Sequence, residues 1–348
     1  MPGLVPGIHA FTVLSTMKDV DGRVFKRQDG ATRLMPAMME SNLMPLLDTS
    51  ANGVYIIAAT PFTEDGAVDT ASLDRLMDFY VGCGITGVTV LGIMGEAPKL
   101  THAESVALTR QVVRRVNGLP VIVGASAPGF AQMAGLAKDV MDAGAGGVMI
   151  APPGTLKTDD QIVTYFANAV EAIGADVPFV LQDYPYASGV YMAPSVIKRI
   201  VADNPSCKMV KHEEWPGLEK LTALKNLMAD GMRKVAILCG NGGVFLPHEL
   251  ERGADGANTG YAYPEMLVQL VKLIKAGDRA AAHDLFDRHL PLLRYEQQPG
   301  MLGLAVRKYI LKRRGAIASD AQRKPGIKLS KEAIAEIEFM IARLERNN

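Results

Sequence analysis

Two side chains stand out for the chemistry their positions permit. Lys211 closes the apolar run Cys207–Lys211, and Tyr184 closes the run 177–184. If both runs are β-strands, side chains alternate between faces, and Met209 shares a face with Lys211 while Val180 and Gln182 share one with Tyr184. The same alternation puts Cys207 on the face of Met209 and Lys211. A lysine pointing inward at a strand end is desolvated, which favours the neutral amine, and only the neutral amine attacks a carbonyl. A phenol on the neighbouring strand could shuttle the protons that carbinolamine formation and dehydration require. The plainer alternative is a lysine whose stem reaches to water and a tyrosine that caps the strand with its hydroxyl solvated. A third feature is the turn Gly92-Ile93-Met94-Gly95-Glu96, where two glycines let backbone N–H groups approach an anion such as a carboxylate. Glu213 and Glu214 follow Lys211 and read as solvated charges at the start of a loop. His212 and His248 each lack a second ligand at metal spacing, and no HExxH, P-loop or GxSxG motif is present.

The elements that must carry these residues follow from hydrophobic patterning. From Val54 onward, short Val- and Ile-rich runs alternate with longer amphipathic ones. Eight strand candidates lie at 54–60, 86–92, 120–125, 146–151, 177–184, 207–211, 234–240 and 255–260. Helical patterns separate them, many closed by glycine, as at Gly84, Gly144, Gly174 and Gly231. Alternating strands and helices make a parallel sheet, and eight repeats predict an α/β fold, a (β/α)8 TIM barrel. An open doubly wound sheet would want a glycine-rich turn after the first strand, where Thr60-Pro61-Phe62 stands instead. Residues 1–45 show no sustained period and read as a flexible or loosely packed extension. Residues 46–278 form the barrel, and 279–348 carry helical periodicity only, a C-terminal helical appendage. In such a barrel the active site lies at the C-terminal strand ends, where Lys211 and Tyr184 fall.

Bulk composition narrows the classes. Of 348 residues 48% are hydrophobic, enough for a large core, and the 37 basic residues balance the 37 acidic ones. A neutral chain gives no electrostatic reason to expect nucleic acid or an anionic membrane surface as partner. Three scattered cysteines suit a reducing compartment, and neither a secretory signal nor an apolar span long enough for a bilayer is evident, so a cytoplasmic protein is expected.

Taken together, Ala59-Thr60-Pro61-Phe62, the GxxGE turn Gly92–Glu96, Tyr184-Pro185, Lys211 and the Gly240 loop resemble the dihydrodipicolinate synthase / N-acetylneuraminate lyase family of class I aldolases over about residues 50–340. The resemblance implies that Lys211 forms an imine with a 2-oxo acid and that Tyr184 relays protons. It places Ile93 and Met94 where the family holds the substrate carboxylate with hydroxyls, and Gly240 and Asn258 in the pocket behind the imine. It further implies a homotetramer without metal or organic cofactor.

Departures from the pattern narrow the branch. Ile93 and Met94 lack hydroxyls. Ala151-Pro152-Pro153-Gly154 lacks the second tyrosine of dihydrodipicolinate synthases, and Tyr186-Ala187-Ser188-Gly189 lacks their arginine. Gly240-Asn241-Gly242-Gly243 lacks the acidic residues of sialic acid lyases. What remains resembles the branch acting on 2-oxo-3-deoxy sugar acids, by aldol cleavage or by dehydration. Condensation of pyruvate with an aldehyde, or a non-catalytic 2-oxo acid-binding protein on the same barrel, are the alternatives, and retention of both Lys211 and Tyr184 speaks against the last.

Overall fold

Each of the eight apolar runs forms a parallel strand: β1 (Gly53–Ile57), β2 (Gly87–Val90), β3 (Val121–Gly124), β4 (Gly147–Ile150), β5 (Phe179–Asp183), β6 (Cys207–His212), β7 (Ala236–Cys239) and β8 (Gly256–Thr259). They pair in chain order, and β8 returns to β1, so the sheet is a closed barrel. The structure is a computed structural model that describes residues 45–298 and 300–346; the extension read over residues 1–45 lies, all but its last residue, outside the described residues.

Between the strands run α1 (Thr70–Gly82), α2 (His102–Val116), α3 (Phe130–Asp142), α4 (Asp159–Ile173), the one-turn α5 (Pro185–Ser188), α6 (Pro194–Asp203), α7 (Leu218–Ala229) and α8 (Leu246–Glu251). After β8 come α9 (Pro264–Lys275), α10 (Arg279–Glu296), α11 (Met301–Arg313) and α12 (Lys331–Arg346). Local chemistry sets several ends. Thr101 with Glu104, and Thr158 with Gln161, form reciprocal capping boxes that satisfy first-turn N–H groups of α2 and α4. No helix among the described residues is long and apolar enough to cross a membrane.

Two apolar layers hold the barrel. The larger lies between the strands and the helices. The smaller fills the barrel itself with Tyr55, Ile122, Met149, Val180, Met209, Ala236 and Leu238, joined by Leu47 and Ala51 from the segment entering β1. Full burial of side chains of this size is worth about 1.5–3 kcal/mol each.

Strand β6 departs from strict alternation. Phe179 pairs with Cys207 but Val180 pairs with Met209, so Lys208 is an extra residue, a bulge in the ladder. Cys207 consequently packs with Phe179 in the outer layer, while Met209 and Val180 face inward. The expected common face of Cys207, Met209 and Lys211 therefore holds only for the last two. Past the bulge, Lys211 pairs with Gln182 at the top of the barrel.

Candidate active site

At the C-terminal strand ends a cavity of about 590 Å³ opens, within the size range of small-molecule sites. Its wall includes Lys211 from β6, Gln182 from β5 and Tyr184 just beyond β5. Ile93 and Met94 line it from the turn after β2. Lys211, Tyr184, Ile93 and Met94, four of the residues expected from the sequence, thus meet in one place with Gln182.

Lys211 is 5% exposed, and its Nζ lies 2.8 Å from Glu213 Oε1. Glu213 is itself buried and accepts a second hydrogen bond on Oε1 from Gln182 Nε2 at 2.8 Å. The reading of Glu213 as a solvated charge is thus corrected: one more step of the period-two alternation from Lys211 reaches it and marks it as inward. Glu214 does sit nearer solvent and pairs with Lys220. Burial first, and then the Glu213 charge, push the Tyr184 phenol up to about 12, so it carries its proton at neutral pH.

Gly240 does not line the cavity, but it makes room for a residue that does. A Cβ there would meet Glu213 Cγ at 2.2 Å. The next residue, Asn241, adopts a left-handed backbone and donates from Nδ2 to the Glu213 carbonyl at 2.6 Å. Gly240→Ala is expected to push Glu213 off Lys211. Crowding of this kind costs about 1–3 kcal/mol, and turnover should fall well beyond any loss of thermal stability, as steady-state kinetics beside a melting curve would register. Wild-type turnover in that variant would mean that the Lys211–Glu213 pair is dispensable. Asn258 sits lower than expected. It is fully buried inside the barrel, within 3.1 Å of Thr89 Oγ1, and does not itself line the cavity, although the next residue, Thr259, does.

The turn after β2 is held from two sides. Thr60 Oγ1 donates to the Gly95 carbonyl at 2.6 Å. Glu96, left-handed at φ 55°, is buried between Lys308 of α11 at 2.5 Å and Lys99 at 2.7 Å. A non-glycine residue in this conformation costs roughly 1–2 kcal/mol, which these charge-assisted contacts offset. The first bonds of the turn run from Gly95 N to Gly92 O and from Glu96 N to Ile93 O, so within the turn the N–H groups of Ile93 and Met94 have no acceptor.

Several wall residues escaped the sequence reading. Gln297, Gln298 and Gly300 come from the connection between α10 and α11, and Arg307 from α11. Arg307 is buried, with Nε 2.6 Å from Glu296 Oε1 and Nη2 2.7 Å from the Gly260 carbonyl. Tyr186, Tyr191 and Trp215 line the opening with largely exposed rings. His212 faces away from the cavity in a buried group: Nε2 lies 2.9 Å from the Gly217 carbonyl and Nδ1 3.5 Å from Asp183, which pairs with Lys220 at 2.7 Å.

Comparisons with known proteins agree with this architecture. The model of the dihydrodipicolinate synthetase family matches residues 50–344. An L-2-keto-3-deoxyarabonate dehydratase of Azospirillum brasilense is 28% identical over 84% of this chain and 94% of its own. A 4-hydroxy-tetrahydrodipicolinate synthase of Chlorobium chlorochromatii is 28% identical over 81% and 93%. Among solved structures, one described as dihydrodipicolinate synthase from Rhodopseudomonas palustris superposes with a TM-score of 0.85 at 58% identity, covering 86% of this chain and 99% of that one.

Proposed function

The chain belongs to the dihydrodipicolinate synthetase family of lyases, and from that premise we propose that it dehydrates a 2-oxo-3-deoxy sugar acid through an imine on Lys211. The observation that carries this reading is the buried Glu213 carboxylate 2.8 Å from Lys211 Nζ. Lys211 attacks the 2-oxo group, and Tyr184, which holds its proton, donates it to the departing carbinolamine oxygen, so that water leaves and an iminium forms. The iminium acidifies C3. Glu213, beside the imine nitrogen, stabilises that cation and accepts the C3 proton. The enamine electrons then expel the C4 hydroxyl, the two losses together amounting to one water. Hydrolysis of the remaining imine frees the product and restores Lys211. The N–H groups of Ile93 and Met94 take the place of the missing hydroxyls at the substrate carboxylate. Aldol cleavage uses the same imine but breaks C3–C4, for which a base at C3 is not needed.

Condensation of pyruvate with aspartate semialdehyde is the second reading, favoured by the name of the 58% identical structure. That aldehyde brings a second carboxylate, for which a bidentate arginine is the suited donor. The stretch after Tyr184 has none, and Arg307, which lines the cavity, has Nε and Nη2 engaged by Glu296 and Gly260, so that Nη1 alone lacks a partner and no bidentate fork is free. A missing charge-assisted bond costs about 1.5–3 kcal/mol, roughly ten- to a hundredfold in binding. A panel of 2-oxo-3-deoxy pentonates and hexonates, with products identified by mass spectrometry and pyruvate release followed separately, distinguishes the cases. A product lighter by one water, without pyruvate, is expected. Stoichiometric pyruvate would establish cleavage instead, and turnover with pyruvate and aspartate semialdehyde equal to or above that on the sugar acids would overturn the dehydratase reading. A homotetrameric assembly and a cytoplasmic location go with the same reading.

A further inference from the structure

Three ligand-bearing side chains that this chemistry does not use meet on the outer surface. His248 and Glu251 lie one turn apart on α8, and His283 comes from the second turn of α10. One ligand atom from each, two imidazole nitrogens and a carboxylate oxygen, all lie within 4.8 Å of one another. His283 Nε2 is 2.8 Å from Glu251 Oε1, and His248 Nδ1 is 3.9 Å from Glu251 Oε2. The two imidazole rings stand 5.3 Å apart between centroids. Ligand atoms at about 2.0–2.1 Å from a tetrahedral zinc ion are about 3.3 Å from each other, so modest side-chain rotations bring all three to coordinating distance.

The sequence conceals this arrangement. His248 has its first partner at i+3, but the second ligand lies on another helix, 35 residues on in the chain (283 − 248). The group has one competitor. Arg279 Nε donates to Glu251 Oε1 at 2.7 Å, and its Nη2 lies 3.4 Å from Oε2. The Glu251 carboxylate thus faces both the Arg279 guanidinium and the His283 imidazole, a setting suited to a cation. Arg279 is itself largely exposed, and an exposed ion pair of this kind is worth only about 0–1 kcal/mol. A divalent ion held by two imidazoles in addition to the carboxylate can displace it.

We propose that His248, Glu251 and His283 form a surface site for a first-row divalent transition metal of the Zn2+ type, which clips α8 of the barrel to α10 of the C-terminal helices. Two imidazoles and one carboxylate suit zinc, nickel or copper, whereas magnesium and calcium want oxygen shells. Three protein ligands leave a fourth tetrahedral position for water. Because the ligands sit on separate helices, the ion binds the folded chain in preference to the unfolded one and raises its stability by mass action.

Calorimetric titration of the chelator-treated full chain with zinc chloride tests the site, beside magnesium chloride as a control. The expected result is one saturable zinc site, no magnesium site, and a melting temperature that rises with zinc. His248→Ala and His283→Ala should each weaken zinc binding at least roughly tenfold, since even outer-shell partners are worth 10–100-fold in metal affinity. Arg279→Ala keeps all three ligands and removes the competitor, so it should bind zinc as tightly as wild type or more tightly. Absence of a saturable zinc site, zinc affinity within about twofold of wild type in both histidine variants, or weakened binding in Arg279→Ala would each overturn the proposal. The arginine variant keeps the test decisive even if a histidine variant fails to fold.

Discussion

Borohydride added to the protein in the presence of pyruvate or a longer 2-oxo acid will attach irreversible mass at Lys211. The imine is the only intermediate of the proposed cycle that hydride can fix, and reduction makes a secondary amine that no longer hydrolyses. Lys211 is suited to forming it by burial at the top of β6, on the inward side set by the bulge at Lys208. The Glu213 carboxylate 2.8 Å from its Nζ also suits the iminium that forms there. Lys211→Ala should therefore lose both the label and turnover, the latter by on the order of 10⁴-fold or more, as expected when a covalent nucleophile is removed from residues acting as a unit. Peptide mapping locates the adduct. Label that persists in Lys211→Ala, or that maps to another lysine, would end the assignment.

The second large effect is expected at Tyr184. Tyr184→Phe keeps the ring against Tyr186, at 6.2 Å between centroids, and removes only the hydroxyl. Turnover should drop by about two to four orders of magnitude, the range for a positioned proton-transfer group, while the melting temperature stays near wild type. The pH profile adds an independent check. The folded-state phenol titrates near 12, pushed up by burial and the Glu213 charge, so its protonated, donating form persists through the alkaline range of ordinary assays. The wild-type rate should accordingly show no alkaline limb from this tyrosine below about pH 10. Near wild-type rates in the phenylalanine variant would make Tyr184 a bystander.

Much of the scaffold could be read from the sequence because its signals are local. Runs such as Val121–Gly124 and Gly147–Ile150 are apolar throughout, since helices outside and side chains inside bury both strand faces. Glycines with positive φ, such as Gly84, Gly144 and Gly231, mark where helices stop. The inward direction of Lys211 was also legible, although the alternation that suggested it miscounts at Cys207; the bulge at Lys208 depends on the partner strand, which the chain does not display. Glu213 is within reach of the same alternation, but two consecutive charges after an apolar run read as the beginning of a loop. The resemblance places Asn258 in the pocket, and only its packing against Thr89 and Met209 shows that its side chain does not line the cavity. Arg307, Gln297 and His283 were beyond any local pattern. Their roles arise from how α10 and α11 lie on the barrel, and helical periodicity identifies a buried stripe without identifying what buries it.

The helices after the barrel close one side of the cavity and, through Lys308 and Glu96, anchor the turn after β2. The cavity wall is therefore shared between the barrel and the stretch that follows it. Lys211, Tyr184 and Glu213 stand at or just beyond the ends of β5 and β6, whereas Gln297, Gln298, Gly300 and Arg307 line the cavity from the tail. Mutation in the tail can thus retune which molecule is accepted while the amine chemistry is preserved. A chimaera that joins this barrel to a relative's last seventy or so residues is expected to shift in substrate range, since part of the cavity wall is exchanged, while keeping the borohydride label at Lys211.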